Sequence, residues 1–497
     1  MKRADMIQSP ELQERLRSVI QEGSVSSDPG DIDAFQQSNP ILGAALKPSY
    51  VLRPSGAHEL QGCLRLANEI GLNLTVSSST GAHCRGGFAA QQENSLIDLS
   101  SWKQIPWINR RNRVCLIEPG VTYGELLKAL EPHGMTVPMP LSPRNGKSVV
   151  ASVMDREPTT WPNRQWDISD PVGSTEFLFG NGELFRTGAA GGPGSLEQQR
   201  AMGGAQKSSQ GPSQTDFHRV IQGAQGTMGV VTWISLRTEL RPTLEHPFLL
   251  GADSLQALVP FIYDTQKQWL GEHSFVLNRA GAAMLVSAHA GGQFEAIQRT
   301  LPAYVCLVNV AGFERMARSR VEYQCRDIES IADRNGLTLM TAQGGIQARD
   351  MLEMATRTCG EVDWRHRLKG HCLSLFFLTT LERAPELVDV FVGLAVENSI
   401  GKETIGVYVQ PIVQNHACHV ELMCPFNPGT PSEVEVMRRL EKDAVTKLIQ
   451  KGAFFSRPYG SAGDLVFGQN PPSYEALKKM KGIFDPRRVL NRGKWGL

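Results

Sequence analysis

The chain has 497 residues, of which 41% are hydrophobic and 20% charged, and its 51 basic residues nearly cancel its 50 acidic ones. That length exceeds one ordinary core and implies two or three structural units, while the charge balance excludes a nucleic-acid-binding stripe and a polybasic membrane anchor. No apolar run approaches the ~18 residues of a spanning helix, and nine scattered cysteines without a CxxC pair exclude a disulfide framework and a zinc knuckle and point to a reducing cytoplasm.

The opening MKRADMIQSPELQERLRSVI has no apolar h-region, so no secretory signal is expected. Residues 9–22 read as an amphipathic helix, with Ser9 as cap, Pro10 in the first turn and Leu12, Leu16 and Ile20 on one face. Residues 57–70 repeat the pattern and stop at Gly71. LNLTVSS, SLIDLS and RVCLIEPG read as strands, and YGELLKALEPHG as the helix after the third. STEFLF-GNG-ELFRTG is a hairpin signal, because glycines in the turn make positive φ cheap. The Gly, Ser and Gln-rich stretch 188–214 has little apolar periodicity, and a loop of that length is either functional or mobile. GAQGTMGVVTWISLRTEL returns to a strand, and Arg241-Pro242 marks a boundary.

From about residue 243 strands alternate with longer helices: SFVLNR, YVCLVNVAG, a helix over 313–335, LTLMTA, CLSLFFLTT, a helix over 383–398, GVYVQPIV and ACHVELMC. This suggests an antiparallel α+β sheet with helices on one face. Helices near 432–451 and 473–482 follow, and the chain ends in FDPRRVLNRGKWGL.

GAQGTMG (Gly223 to Gly229) is superficially a dinucleotide fingerprint, but a β-like run follows it where a helix must open. There is no GxxxxGK[ST], HExxH or GxSxG. On a strand His419 and Glu421 share a face and His416 points to the other, so the three do not make a metal site, and none is expected.

The order of segments resembles the vanillyl-alcohol oxidase / p-cresol methylhydroxylase superfamily of FAD flavoproteins. YVLRPSGAHELQGCLRLANEIGLNLTV and its small-residue loop, LIDLSSW, VCLIEPGVTYGELLKALEPHGM, EFLFGNGELFRTG, IQGAQGTMGVVTWISLRTELRP and the terminal IFDPRRVLNRGKWGL carry the likeness. SVVASVMDREP, ACHVELMCPFNP and FFSRPYG are nearer to the 4-alkylphenol-oxidising branch than to the glycolate oxidase branch. The resemblance implies an α+β protein: a two-part PCMH-type FAD-binding domain (residues 1–242 and 451–497) with an inserted α+β cap (243–450) carrying much of the substrate pocket. Flavin is then expected between the two.

Small residues let successive backbone N–H groups converge on an anion, as an FAD pyrophosphate requires. Ser77, Ser78, Ser79 and Thr80 add hydroxyls and Gly81, with Gly86 and Gly87, permits close approach; the plain alternative is an ordinary polar turn. Ala82, Pro119, Gly120, Gly226, Gly229 and Val231 complete the expected cofactor contacts. Gly81-Ala82-His83-Cys84 is similar to the G-G-H-S form in which the histidine bonds covalently to the flavin 8α-methyl. His83 is therefore a candidate covalent anchor, with Cys84 as substitute, against a histidine that merely packs on the ring or faces solvent.

The family's reaction is hydride transfer to flavin N5. Arg457 matches the arginine that holds the phenolate in the alkylphenol branch, the alternative being a surface arginine. The adjacent tyrosine is replaced by Ser456, with Tyr459 two residues on. His419 and Glu421 are either an acid/base pair or a structural one. Three departures matter. Met139 stands where a V-P-D aspartate is expected, Glu157-Pro158 follow Asp155-Arg156 where glycines are expected, and the 159–169 loop matches poorly. The G-H-x-G-D-G-N-x-H segment of glycolate and lactate oxidisers is missing. The expectation is a cytoplasmic FAD-dependent oxidoreductase acting on a small alcohol or alkylphenol-like molecule. Its electrons would pass to oxygen or a partner electron-transfer protein, without nucleic-acid or membrane partners, as a homo-oligomer or a complex subunit. The alternatives are a 2-hydroxy acid dehydrogenase and a flavin-fold subunit whose site has decayed.

Overall fold

The computed structural model describes residues 10–36, 39–42, 46–82, 94–163, 171–211, 217–412 and 417–497. The first helix, α1 (Pro10–Val19), buries Leu12 and Leu16. A four-stranded sheet follows, built from β1 (Ser24–Ser26), β2 (Tyr50–Arg53), β3 (Asn73–Ser77) and β4 (Asn94–Asp98) in the order β1-β2-β4-β3. Both β2 and β3 run parallel to β4, so a crossover must join them, and α2 (Ala57–Ile70) supplies it. This helix stops where Gly71 takes φ 74°, and its Leu60, Leu64 and Ala67 are fully buried.

A second sheet is antiparallel throughout: β5 (Trp107–Asn109), β6 (Val114–Ile117), β7 (Val172–Phe179), β8 (Leu184–Arg186) and β9 (Gly229–Arg237), ordered β5-β6-β9-β7-β8. Between β6 and β7 lie α3 (Tyr123–Leu130), opened by a Thr122/Glu125 capping box, and the short α4 (Val149–Met154), capped by Ser148. The 188–214 stretch is not an open lid as far as it is described. Ser195 caps a helix over Leu196–Ala201, Leu196 and Ala190 pack with Leu116 and Trp233 on the sheet, and Gln206 and Ser208 carbonyls accept from Ser235 and Ser174. Capping and anchoring to a sheet face replace the periodicity that the sequence lacks.

The third sheet has six strands, all antiparallel: β10 (Leu244–Ala252), β11 (His273–Asn278), β12 (Tyr304–Gly312), β13 (His371–Thr379), β14 (Gly406–Ile412) and β15 (Ala417–Phe426), ordered β10-β12-β11-β14-β15-β13. Helices cover both faces rather than one. On the first, α5 (Leu255–Lys267), α7 (Ala317–Arg334), α8 (Ala384–Glu397) and α9 (Pro431–Gln450) share a core with Leu373, Phe377, Val420 and Leu422. On the other, α6 (Arg279–Ala290) and the Ala348–Thr356 helix pack against Phe275 and Tyr408. The strands are apolar on both sides at that end, so both need a cover. LTLMTA forms only a bridge from Met340 to Leu249 and a two-residue strand, because Gly344 and Gly345, both at positive φ, turn the chain at once. The last helix, α10 (Pro471–Phe484), precedes a return to the first sheet, where Leu490 bridges Leu74 and Val489 and Leu490 enter the core beside β3. Among the described residues no helix is long and apolar enough to cross a membrane.

Candidate active site

Where the C-terminal end of β3 and the N-terminal end of β9 face the third sheet, a cavity of about 610 Å³ opens. Of the residues expected to hold a cofactor, Ser77, Ser78, Ser79, Ala82, Pro119, Gly226, Gly229 and Val231 line it. Thr80, Gly81 and Gly120 are not lining residues but support those that are. The Thr80 amide donates to Gly146 O at 3.0 Å, and the Ser148 amide donates to Ser79 Oγ at 3.1 Å. Ser148 Oγ in turn donates to Pro119 O at 2.6 Å. A Cβ on Gly120 would meet three backbone carbonyl oxygens at 2.6–2.7 Å, so that glycine is required by packing. His83, Cys84, Gly86 and Gly87 lie outside the described residues, as does His416.

Sequence reasoning missed Arg144. Its guanidinium is buried, donates to Thr80 O at 2.9 Å, and would be 2.7 Å from a Cβ on Gly81, whose φ is 78°. The only signal was a basic residue two positions before a glycine in PRNGKS. Gly226 has φ 71°, and a Cβ there would stand 2.5 Å from Asn491 Nδ2, which donates to Gln225 O at 2.7 Å. The C-terminal segment thus shapes the loop that forms the cavity floor.

Opposite stands the third sheet. The register places Glu421 across from Phe376 and Tyr408, and His419 across from Gln410, so one face presents Phe376, Tyr408, His419 and Glu421 to the cavity. Both Glu421 oxygens accept from Arg365, at 2.9 and 2.7 Å, a bidentate pair in which Glu421 is buried and the Arg365 side chain 13% exposed. Burial works against the Arg365 charge, but Glu421 and Asp363 overcome it and hold that group well above the ordinary arginine value. His419 packs between Phe376 and Tyr408, with ring centroids 5.8 and 5.9 Å away.

Between the two walls the chain converges at a pair of turns. Asp155 closes α4, Arg156 takes φ 56°, and the reversal turns Asp155 and Glu157 toward the cavity while Arg156 donates to Ser456 O at 3.0 Å. From the other turn, Tyr459 donates to Asp155 Oδ2 at 2.6 Å and Arg457 Nη1 lies 3.6 Å from the same oxygen. Arg457 is 4% exposed and stacks over Phe376 at 4.2 Å. Its Nε and Nη1 have no hydrogen-bond partner among the described residues. Glu157 accepts from Lys147 at 2.5 Å and from Ser152 at 2.6 Å. Burial alone would raise Glu157, but the charges of Lys147 and Arg457 hold it down at about 2. Burial raises Asp155 above its ordinary value; Arg457 pulls it back and the charge of Glu157 raises it again. Lys494 joins this cluster from the C-terminus, its ammonium pushed down to about 8 by burial against the opposing pull of Asp155. Among the described residues no group of three His, Cys, Asp or Glu side chains is arranged to hold a metal ion.

These residues fit a flavin nucleotide: a floor of small residues, glycines where a Cβ would intrude, and buried cations at both ends. Residues 48–188 match the family model of an FAD binding domain. The chain is an FAD-linked oxidoreductase with a p-cresol methylhydroxylase-type FAD-binding domain. It is 22% identical over 505 residues to a D-2-hydroxyglutarate dehydrogenase of Stutzerimonas stutzeri, with 98% of each chain covered. Its fold is that of a 4-ethylphenol oxidase from Gulosibacter chungangensis (TM-score 0.80, 16% identity, 98% of each chain) and of p-cresol methylhydroxylase (TM-score 0.80, 16% identity, 100% of this chain and 97% of the other).

Proposed function

We propose that the protein oxidises a small 4-alkylphenol or the related benzylic alcohol, with Arg457 holding the phenolate oxygen. The observation that carries this reading is the buried Arg457 guanidinium, whose Nε and Nη1 make no hydrogen bond among the described residues although Nη1 lies 3.6 Å from Asp155. A buried donor left unpaired costs about 1–3 kcal/mol, more when charged, so the site is suited to an anion. The rings of Phe376, Tyr408, His419 and Tyr459 line the same cavity as that guanidinium, which favours a flat aromatic anion over an aliphatic one. FAD would lie along Ser77–Ser79, Ala82, Pro119, Gly226, Gly229 and Val231, between a domain of residues 1–242 and 451–497 and a cap of 243–450, and supplies the hydride acceptor. Arg457 keeps the phenol ionised, and the electrons of the phenolate oxygen help expel the benzylic hydride, leaving a neutral quinone methide. Asp155, bonded to Tyr459, is placed to take a proton from the alcohol or from water adding to the quinone methide. His419 packs against the substrate and Glu421 holds Arg365 in the wall. We take the protein to be cytoplasmic, its electrons passing to oxygen or to a partner carrier.

A second reading, a 2-hydroxy acid as substrate, is favoured by the whole-length likeness to D-2-hydroxyglutarate dehydrogenase and by Lys494 and Arg457 both lining the cavity, since a carboxylate suits the same cations. Anaerobic mixing with 4-alkylphenols, benzylic alcohols and 2-hydroxy acids tests both. Bleaching of the flavin by the aromatic compounds is expected. Bleaching by hydroxy acids alone moves the conclusion to the second reading, and no bleaching by any compound overturns both.

A further inference from the structure

Glu157 stands where the alkylphenol branch resembled by this sequence carries a glycine, and it is neither a surface residue nor a neighbour by accident. The left-handed turn at Arg156 puts its carboxylate on the same side of the chain as that of Asp155, two residues away. Its two oxygens are fixed by different elements: Lys147 ahead of α4 at 2.5 Å, and Ser152 within α4 at 2.6 Å. Its side chain is 11% exposed and that of Asp155 16%, so solvent screens their mutual repulsion poorly.

We propose that Glu157 is a positioning residue acting through Asp155: its fixed negative charge sets the proton affinity of Asp155 and makes Asp155 with Tyr459 the proton-transfer unit of the cavity. The claim rests on the reading above for the role of Asp155, not for the identity of the substrate. Every charged or titratable group facing Asp155 enters the balance. Arg457 and Tyr459 come from the 456–459 turn, Lys147 and Glu157 from either side of α4, and Lys494 from the C-terminus. The cations favour the carboxylate and Glu157 opposes them. Two carboxylates driven apart, one fixed as an anion and one made readier to hold a proton, divide the roles of charge and base. The divergence of the two groups described above agrees with this arrangement. A purely structural clasp between Lys147 and Glu157 would hold α4 in place and leave the titration of Asp155 alone.

Infrared spectroscopy of the full-length, FAD-loaded protein distinguishes the two. The protonated-carboxyl band removed by Asp155→Asn reports Asp155 directly and needs no substrate. Glu157→Gln is expected to lower the pH at which that band appears by about one unit. Glu157→Asp should return it toward the parent value, and Arg457→Met should move it the opposite way, upward. If Glu157→Gln leaves Lys147 too costly to bury and FAD is lost, the paired Lys147→Gln/Glu157→Gln change carries the test. Its expected shift is still downward, since Lys147 pairs with Glu157 and not with Asp155. An unchanged or raised titration pH in the Gln variants overturns the proposal. If the band shifts as stated while no aromatic substrate bleaches the flavin, the substrate reading fails and the coupling of Glu157 to Asp155 stands.

Discussion

The two walls of the cavity are made of different material. The floor, Ser77–Ser79 and Ala82 with Pro119, Gly226, Gly229 and Val231, consists mostly of small residues, of which Ser79 and Pro119 are tied to Ser148. The roof, from β13, β14 and β15, consists of large side chains, among them Glu421 of the bidentate ion pair and the tilted and edge-on rings of Phe376, His419 and Tyr408. A wall of backbone recognises what every flavin nucleotide has in common. A wall of side chains recognises one substrate, and can be rebuilt by changing a few residues without disturbing a fold shared with proteins only 16% identical.

If that division is right, damage to the floor should abolish cofactor binding and damage to the roof should not. Gly226→Val should have the largest effect. A branched side chain at φ 71° is strained in itself, and its Cβ would meet Asn491, which braces the loop. Purified protein should carry little or no flavin absorbance; full retention would break the assignment of the floor. Arg457→Ala should leave the visible flavin spectrum unchanged and lower kcat/KM by about 100- to 1,000-fold, the loss of a buried charge-assisted contact worth roughly 3–4 kcal/mol. Loss of FAD from this variant would instead move Arg457 to the floor. Within the roof, Glu421→Gln should cost on the order of 3–5 kcal/mol of stability by stranding Arg365 in a buried site. Denaturant unfolding measures this, and Arg365→Met combined with Glu421→Leu should recover much of it. A small stability loss with a large loss of turnover would mark Glu421 as part of the chemistry.

The same division explains what the sequence disclosed. Repetitive local signals were legible: Gly71 ending α2, YGELLKALEPHG as the helix α3, and the hairpin of β7 and β8. So were the small-residue loops, since a backbone cradle writes its requirements locally as glycine and serine. Three kinds of feature were not. α6, RAGAAMLVSAHA, is buried almost throughout and so has no polar face to give it a period. The 188–211 stretch is ordered by contacts with Ser174, Ser235 and Trp233, which no local pattern announces. The charge cluster depends on distance in space: Asp155 and Tyr459 are 304 residues apart, and Arg156 and Ser456 300. Asp155-Arg156-Glu157-Pro158 was visible as a departure from the family pattern, but its meaning required knowing that Arg156 adopts a left-handed conformation and that Lys147 lies against Glu157.

The smallest expected effect tests where floor and roof meet. Lys494 arrives from the C-terminal segment and adds a cation beside Asp155. With its ammonium pushed down to about 8, it is charged below that pH and neutral above it. An anionic substrate should therefore bind more weakly as pH rises through about 8, with KM increasing by a factor of roughly two to five while Arg457 still holds the anion. Lys494→Met should show the weaker binding at every pH and lose that limb of the profile. If the limb persists in Lys494→Met, another group titrates there, and a substrate of lower phenol pKa tests whether it is the substrate phenol itself, by shifting the limb.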